Sequence, residues 1–220
     1  LQANGHPLAR IDLNDKYDLG QEFFRWEVAV AAAGAALGIN PFNQPDVQLA
    51  KDLAKKAMEK NSLGKKNGPG FKGEITVTDR PALEQALSAW LGSKKKRDYA
   101  VVQAYLNPSP ENTAKLQAIC ASIRDRLGVA TTLGFGPRFL HSTGQLHKGG
   151  PNSALVLQII DQPADNLPVP ETNYTFDALI QAQAAGDFAA LKQRRRRVLR
   201  VNLGSDPADG LNQLAEAARS

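Results

Sequence analysis

The 220-residue chain contains one cysteine, so no disulfide can form within it, and Cys120 is expected to be a small buried hydrophobe. Long apolar runs are lacking too. The longest, residues 28–37, is about half of what a membrane-spanning helix needs, which excludes a span of that kind. No charged leader with an apolar segment and small-residue cleavage site opens the sequence, and the chain is expected to be cytoplasmic. Aromatic residues make up 6% and do not interleave with the basic residues, as a nucleic-acid surface would require. Net charge is +5, and two blocks, "KKKR" at residues 94–97 and "RRRR" at residues 194–197, supply eight of the 27 basic residues. Basicity is therefore local, and each block is expected to be a solvated linker or helix end rather than a nucleic-acid contact.

What the chain does have is length for a buried core and a clear alternation of patterns. A strand is expected at residues 8–13. "YDLGQEFFRWEVAVAAAGAALGIN", residues 17–40, is apolar nearly all round and reads as a buried helix, with Gly38 suited to a left-handed cap and Asn40-Pro41 opposing continuation. A second helix follows in "NPFNQPDVQLAKDLAKKAMEK", where Pro45 suits the first turn and Asp46 the positive end. Val47, Ala50, Leu53, Ala54, Ala57 and Met58 form its apolar stripe. Lys51 falls roughly 40° from Val47 and roughly 20° from Met58, at the edge of that stripe, whereas Lys55, Lys56 and Lys60 lie farther out. A lysine there either snorkels along a helix shoulder or reaches into a site.

"NSLGKKNGPGFKG", residues 61–73, lacks periodicity and marks a segment boundary. Beyond it, apolar strands ("EITVTD", "YAVVQAYL", "ATTLGFG", "SALVLQIID", "VLRVNLG") are separated by amphipathic helices, the pattern of βαβ crossovers. The predicted architecture is α/β, three layers (αβα) with a mostly parallel sheet covered on both faces.

"LHSTGQLHKGG", residues 140–150, begins just after a predicted strand, where ligand sites of such sheets form. Exposed amides at Gly134, Gly136, Gly149 and Gly150, with Ser142 and Thr143, would suit a phosphate or sugar hydroxyls, and Arg138 and Lys148 would add charge; a tight turn holding no ligand has the same composition. His141 or His147 would suit acid–base work near neutral pH. Two histidines with no cysteine or carboxylate in the stretch form a poor zinc pattern, so no metal is expected.

Two separated stretches resemble one family. Residues 17–51, ending in N-P-F-N-Q-P-D-V-x-x-x-K, resemble the C-terminal signature of glucose-6-phosphate isomerases. "LHSTGQ" resembles the L-H-S-x-G-Q segment of bacterial members, and "GFGPRFLHSTGQLHKGGPN" resembles the C-terminal extension of bifunctional transaldolase/glucose-6-phosphate isomerases. The resemblance implies a sugar-isomerase (SIS), flavodoxin-like α/β extension at residues 74–220, a linker at 67–73, and the helical C-terminal segment of an isomerase domain at residues 1–66. It further implies interconversion of glucose 6-phosphate and fructose 6-phosphate, in glycolysis and the pentose phosphate pathway, without a cofactor.

In this family, acid–base residues open the sugar ring, and a carboxylate moves a proton between C2 and C1 through a cis-enediol. Lys51 matches the motif lysine and His141 the motif histidine, which the resemblance casts as ring-opening residues. Ser142, Thr143, Gln145, Arg138 and Lys148 are the candidate substrate contacts. The stretch "LQAICASIRDRLGVATT", where bacterial members carry their glutamate, contains none, and the order of the two motifs is reversed. The chain, which starts at Leu1, is expected to be part of a longer polypeptide whose upstream domains supply the base, and to be inactive alone. Sugar phosphate, those upstream domains and a second copy of the chain are the expected partners; a sugar-phosphate-binding or assembly role is the alternative to catalysis.

Overall fold

The computed structural model describes residues 2–5, 7–61, 73–141, 143–162 and 167–219. The chain divides into two compact units, residues 1–43 and 44–220. The first contains helix α1 (Asp18–Leu37), closed as expected by Gly38 in the left-handed conformation, with Ile39 N–H donating to the Gly34 carbonyl at 3.0 Å. Residues 8–13 form no strand and are exposed. The expectation of a buried α1 is also corrected: Phe24 is 70% and Trp26 58% exposed, and Gly34 is its one buried residue. An all-round apolar helix is buried only if a partner covers it, and the described part of its own unit supplies a single 3-10 turn besides.

The second unit opens with α2 (Pro45–Asn61) and continues β1 (Glu74–Thr76), α3 (Arg80–Gly92), β2 (Tyr99–Tyr105), α4 (Pro110–Leu127), β3 (Thr131–Phe135), a 3-10 turn (Arg138–His141), α5 (Gly144–Gly149), β4 (Ala154–Ile160), α6 (Phe176–Gln193), β5 (Arg197–Asn202) and α7 (Pro207–Arg219). The strands form one sheet in the order β1-β5-β4-β2-β3, and every pairing is parallel. Local signals set the helix starts. Asp79 and Ser109 accept from Ala82 N and Asn112 N at 3.1 Å, with proline following each cap, and Thr175 caps α6 in the same way.

Helices cover both faces. On one, α3, α4 and α7 bury Leu83, Leu87, Ile119, Ile123 and Leu214 against Val102, Leu157 and Val201. The opposite face, under α5, α6 and α2, carries a polar row. Gln103, Gln158, Arg200 and Glu74 are register partners across β2, β4, β5 and β1, and Gly134 of β3 extends the row.

Helix α2 belongs to this unit and not with residues 1–43, so the expected 1–66 segment is divided; most of the expected linker, residues 67–72, lies outside the described residues. Its stripe packs on α6 as the periodicity predicts, with Val47, Ala50 and Ala54 buried. The crossing is close because Gly186 has no side chain: a Cβ there would stand 2.5 Å from the Ala50 carbonyl oxygen and 2.6 Å from Ala54 N. Gly186→Ala must push backbone apart, and it should destabilise the fold by about 1–3 kcal/mol in chemical denaturation, as overpacking does. An unchanged midpoint would contradict this crossing.

Candidate functional site

Residues following the carboxyl ends of β3 and β4 meet α2 around a cavity of about 410 Å³. Lys51 and Lys55 of α2 line it together with His141, Gln183 and Tyr174, above apolar walls that include Met58, Leu140 and Leu179. The two residues marked as catalytic by the resemblance, one from each motif, thus share a cavity. Lys51 is exposed at the edge of the stripe, and Lys55, one turn on, joins it although the periodicity put it farther out. Among the described residues that line the cavity there is no carboxylate.

Around His141 the chain is helical at residues 138–141 and 144–149, and does not hold out the exposed amides that a phosphate cradle would need. A 3-10 turn ends at His141 and α5 follows, with Thr143 N–H bonded to the Phe139 carbonyl and His147 N–H to the Thr143 carbonyl at 3.0 and 3.1 Å. The glycines serve packing, not an anion cradle. Gly136 lies under the Tyr105 ring, where a Cβ would come within 2.5 Å, and Gly149 leaves the space taken by Gln145 and Asp46.

The proposed substrate contacts separate accordingly. Ser142 lies outside the described residues. Arg138 and Thr143 are exposed and do not line the cavity. Gln145 is engaged elsewhere: its carbonyl oxygen accepts from Asp46 N at 2.9 Å and its amide nitrogen donates to the Asp46 carboxylate at 2.9 Å. Lys148 is the clearest correction, because its ammonium is 0% exposed and ion-paired with the equally buried Asp187, and also donates to the Gly144 carbonyl at 3.3 Å. A lysine so enclosed cannot reach a phosphate in solution.

Asp187 joins Lys148 to the polar row. Gln158 donates to the Ala184 carbonyl at 3.2 Å and Asp187 at 3.4 Å, Arg200 donates to Gln158 at 2.7 Å and Glu74 at 2.8 Å, and Asn202 donates to Glu74 at 2.9 Å. Burial pushes the Asp187 carboxyl up and the Arg200 guanidinium down from their ordinary pKa ranges, opposed in each case by the partner charges. The Gln103 amide and Tyr105 hydroxyl, buried on the same face, find no hydrogen-bond partner among the described residues.

The arginine block begins at the end of α6 with Arg194 and Arg195 exposed, as a helix end would be, but three of its side chains are bonded within the protein. Arg194 pairs with Asp46, Arg196 donates to the Lys148 and Gly150 carbonyls at 3.0 and 2.7 Å, and Arg197 grips Asp98 while donating to Ser93 and Asn152 carbonyls at 2.9 and 2.8 Å. Hydrogen bonding from Arg197 holds Asp98 below the usual carboxylate range. Residues 94–97, by contrast, are exposed as expected.

Sequence reasoning missed Asp161, at the carboxyl end of β4 beside β2. The connections leaving these adjacent strands take opposite faces, α4 on one and α6 on the other, the place where α/β sheets open a crevice. Burial, then the Asp177 charge, pushes the Asp161 carboxyl up to about 6. An acidic residue ending an apolar strand, "LQIID", was the available signal.

His147, the second histidine considered, lies beneath the surface with Nδ1 3.0 Å from the Tyr99 hydroxyl. Burial, then the neighbouring Lys148 charge, pushes its pKa down from 6.5 to about 4. Between those values the unfolded chain binds the proton and the folded chain does not, so this group lowers stability as pH falls through the window. His147→Gln should therefore lose less stability than wild type on acidification, measured by urea unfolding at several pH values; parallel curves would contradict a neutral buried imidazole. Lys148→Met should cost about 3–5 kcal/mol by stranding Asp187, and adding Asp187→Leu should recover most of it. A neutral single variant would mean that Lys148 is not held in the ion pair.

No family model matches the sequence, and no curated protein matches it. In structure the chain is similar to a hypothetical protein of Thermus thermophilus known from its crystal structure, with a TM-score of 0.50 and 18% identity over 79% of this chain. The matched region spans 43% of that protein's length. A likeness at this identity concerns architecture: the chain has an α/β fold with a five-stranded parallel sheet flanked by helices.

Proposed function

We propose that this chain contributes Lys51 and His141 to a glucose-6-phosphate isomerase site within a transaldolase/isomerase polypeptide. The observation supporting this reading is that the lysine of one motif and the histidine of the other line a single cavity. Lys51 and Lys55 give it a cationic side suited to a phosphorylated sugar, and an exposed imidazole can exchange a proton with the ring oxygen during opening. The C2-to-C1 transfer needs a positioned base, and the described lining offers no carboxylate. The base therefore comes from upstream domains, and the chain alone is inactive.

The carboxylate-free lining also favours a second reading, in which the cavity binds sugar phosphate without chemistry. Two measurements separate them. Glucose 6-phosphate titrated onto the chain should shift the His141 resonances in NMR spectra under both readings, while a coupled assay of the chain should show no turnover. In the complete polypeptide, His141→Ala should lower isomerase kcat roughly 100-fold or more, the scale of general acid–base catalysis, with transaldolase activity retained. Retained isomerase turnover would leave the binding reading, and turnover by the chain alone would overturn the assignment of the base.

A further inference from the structure

Three hydrogen bonds converge on Asp46, in the first turn of α2. Gln145 of α5 supplies one acceptor, to the backbone N–H, and one donor, to Oδ2; Arg194, just beyond α6, donates to Oδ1. Asp46 is 3% exposed, so this carboxylate is withdrawn from water and held by protein groups. We propose that Gln145 and Asp46 are a positioning pair that fixes the Lys51 side of α2 against His141 and so sets the width of the cavity.

The rest of the α2 contact is poorly suited to that task. Ala50 and Ala54 cross Gly186 at close range, and such small side chains allow approach while presenting little relief against sliding or rotation. Asp46 meets Arg194 past the end of α6, while Ala50 and Ala54 meet Gly186 within it, so the helices run in opposite directions and the clamp acts at one end of their contact. Lys51 follows Asp46 on the same helix by about 7.5 Å of rise. On the other side, Gln145 follows His141 closely in sequence, and the Thr143 and His147 N–H groups bond the Phe139 and Thr143 carbonyls. Lys51 is therefore attached to the clamp through helical backbone, and His141 lies close to it along the chain.

The amide of Gln145 is the chemical group that meets both demands, because it presents an acceptor to the N–H and a donor to the carboxylate. A glutamate would set two carboxylates against each other. Gly149 belongs to the arrangement, since a Cβ there would occupy the position of the Gln145 amide.

The inference concerns the cavity of the isomerase reading, but its first measurement needs no sugar. Spin labels on Lys56→Cys of α2 and Thr143→Cys, both exposed and outside the cavity lining, report the separation of its two sides. Cys120 is buried, with its thiol pushed up to about 11 by burial, and stays unlabelled. Wild type should give one narrow distance and Gln145→Glu a broad or shifted one. Asp46→Asn combined with Gln145→Glu should restore the narrow distance. The side-chain amide introduced on α2 then donates to the carboxylate introduced on α5, while its oxygen still accepts from Arg194.

Glucose 6-phosphate binding should weaken roughly tenfold in the single variant and return in the pair, a change equal to one buried polar contact. An unchanged distance in Gln145→Glu, or no restoration in the pair, overturns the proposal. Should Gln145→Glu fail to fold, Gln145→Met removes both bonds at similar volume and must show the same broadening, or the proposal falls. Distances that respond as expected in a wild-type chain without affinity for the sugar would support the clamp and count against the isomerase reading.

Discussion

Covering a polar row on a sheet face is the constraint from which the functional side of this protein follows. Gln103, Gln158, Arg200 and Glu74 occupy one register line across four strands, and a helix placed over them must answer their charges and amides or leave them stranded. Asp187 of α6, in a fully buried ion pair with Lys148 of α5, answers Gln158, while the Gln103 amide finds no partner among the described residues. This pair joins α5 to α6 above the sheet, and α6 in turn presents Gly186 to α2. The cavity between α2 and the turn ending at His141 is built on that sequence of contacts.

The opposite face follows a simpler rule. Leu, Ile and Val side chains from all five strands meet α3, α4 and α7 in an apolar cluster, so hydrophobic burial accounts for it. One face supplies stability through apolar packing, while the other uses directional bonds that fix where helices lie. Placing the candidate site on the second face puts it where position is most tightly specified. The arginine block serves the same end, with Arg194, Arg196 and Arg197 each binding a different segment to the helices or strand ends.

The two motifs meet in two distinct ways. Lys51 and His141 line the cavity, whereas Asp46 and Gln145, their neighbours in sequence, bind each other beside it. A short motif can therefore combine residues that face a ligand with residues that hold the first group in place. Spacing does not reveal which is which, because Gln145 and Lys148 carry the same polar groups whether they face solvent or a protein partner.

Sequence alone determined most of the element boundaries, the parallel alternation, the Gly38 cap and the edge position of Lys51, since all of these arise from local sterics, capping and periodicity within a few residues. It also placed the His141 segment after the end of a strand. Only tertiary structure decided that Lys148 is buried against Asp187, that three arginines of the block bond to other segments, that α2 joins the α/β unit, and that α1 is exposed. The reason is physical: the free energy of a charged or apolar side chain depends on what lies opposite it, and that partner comes from a distant part of the chain.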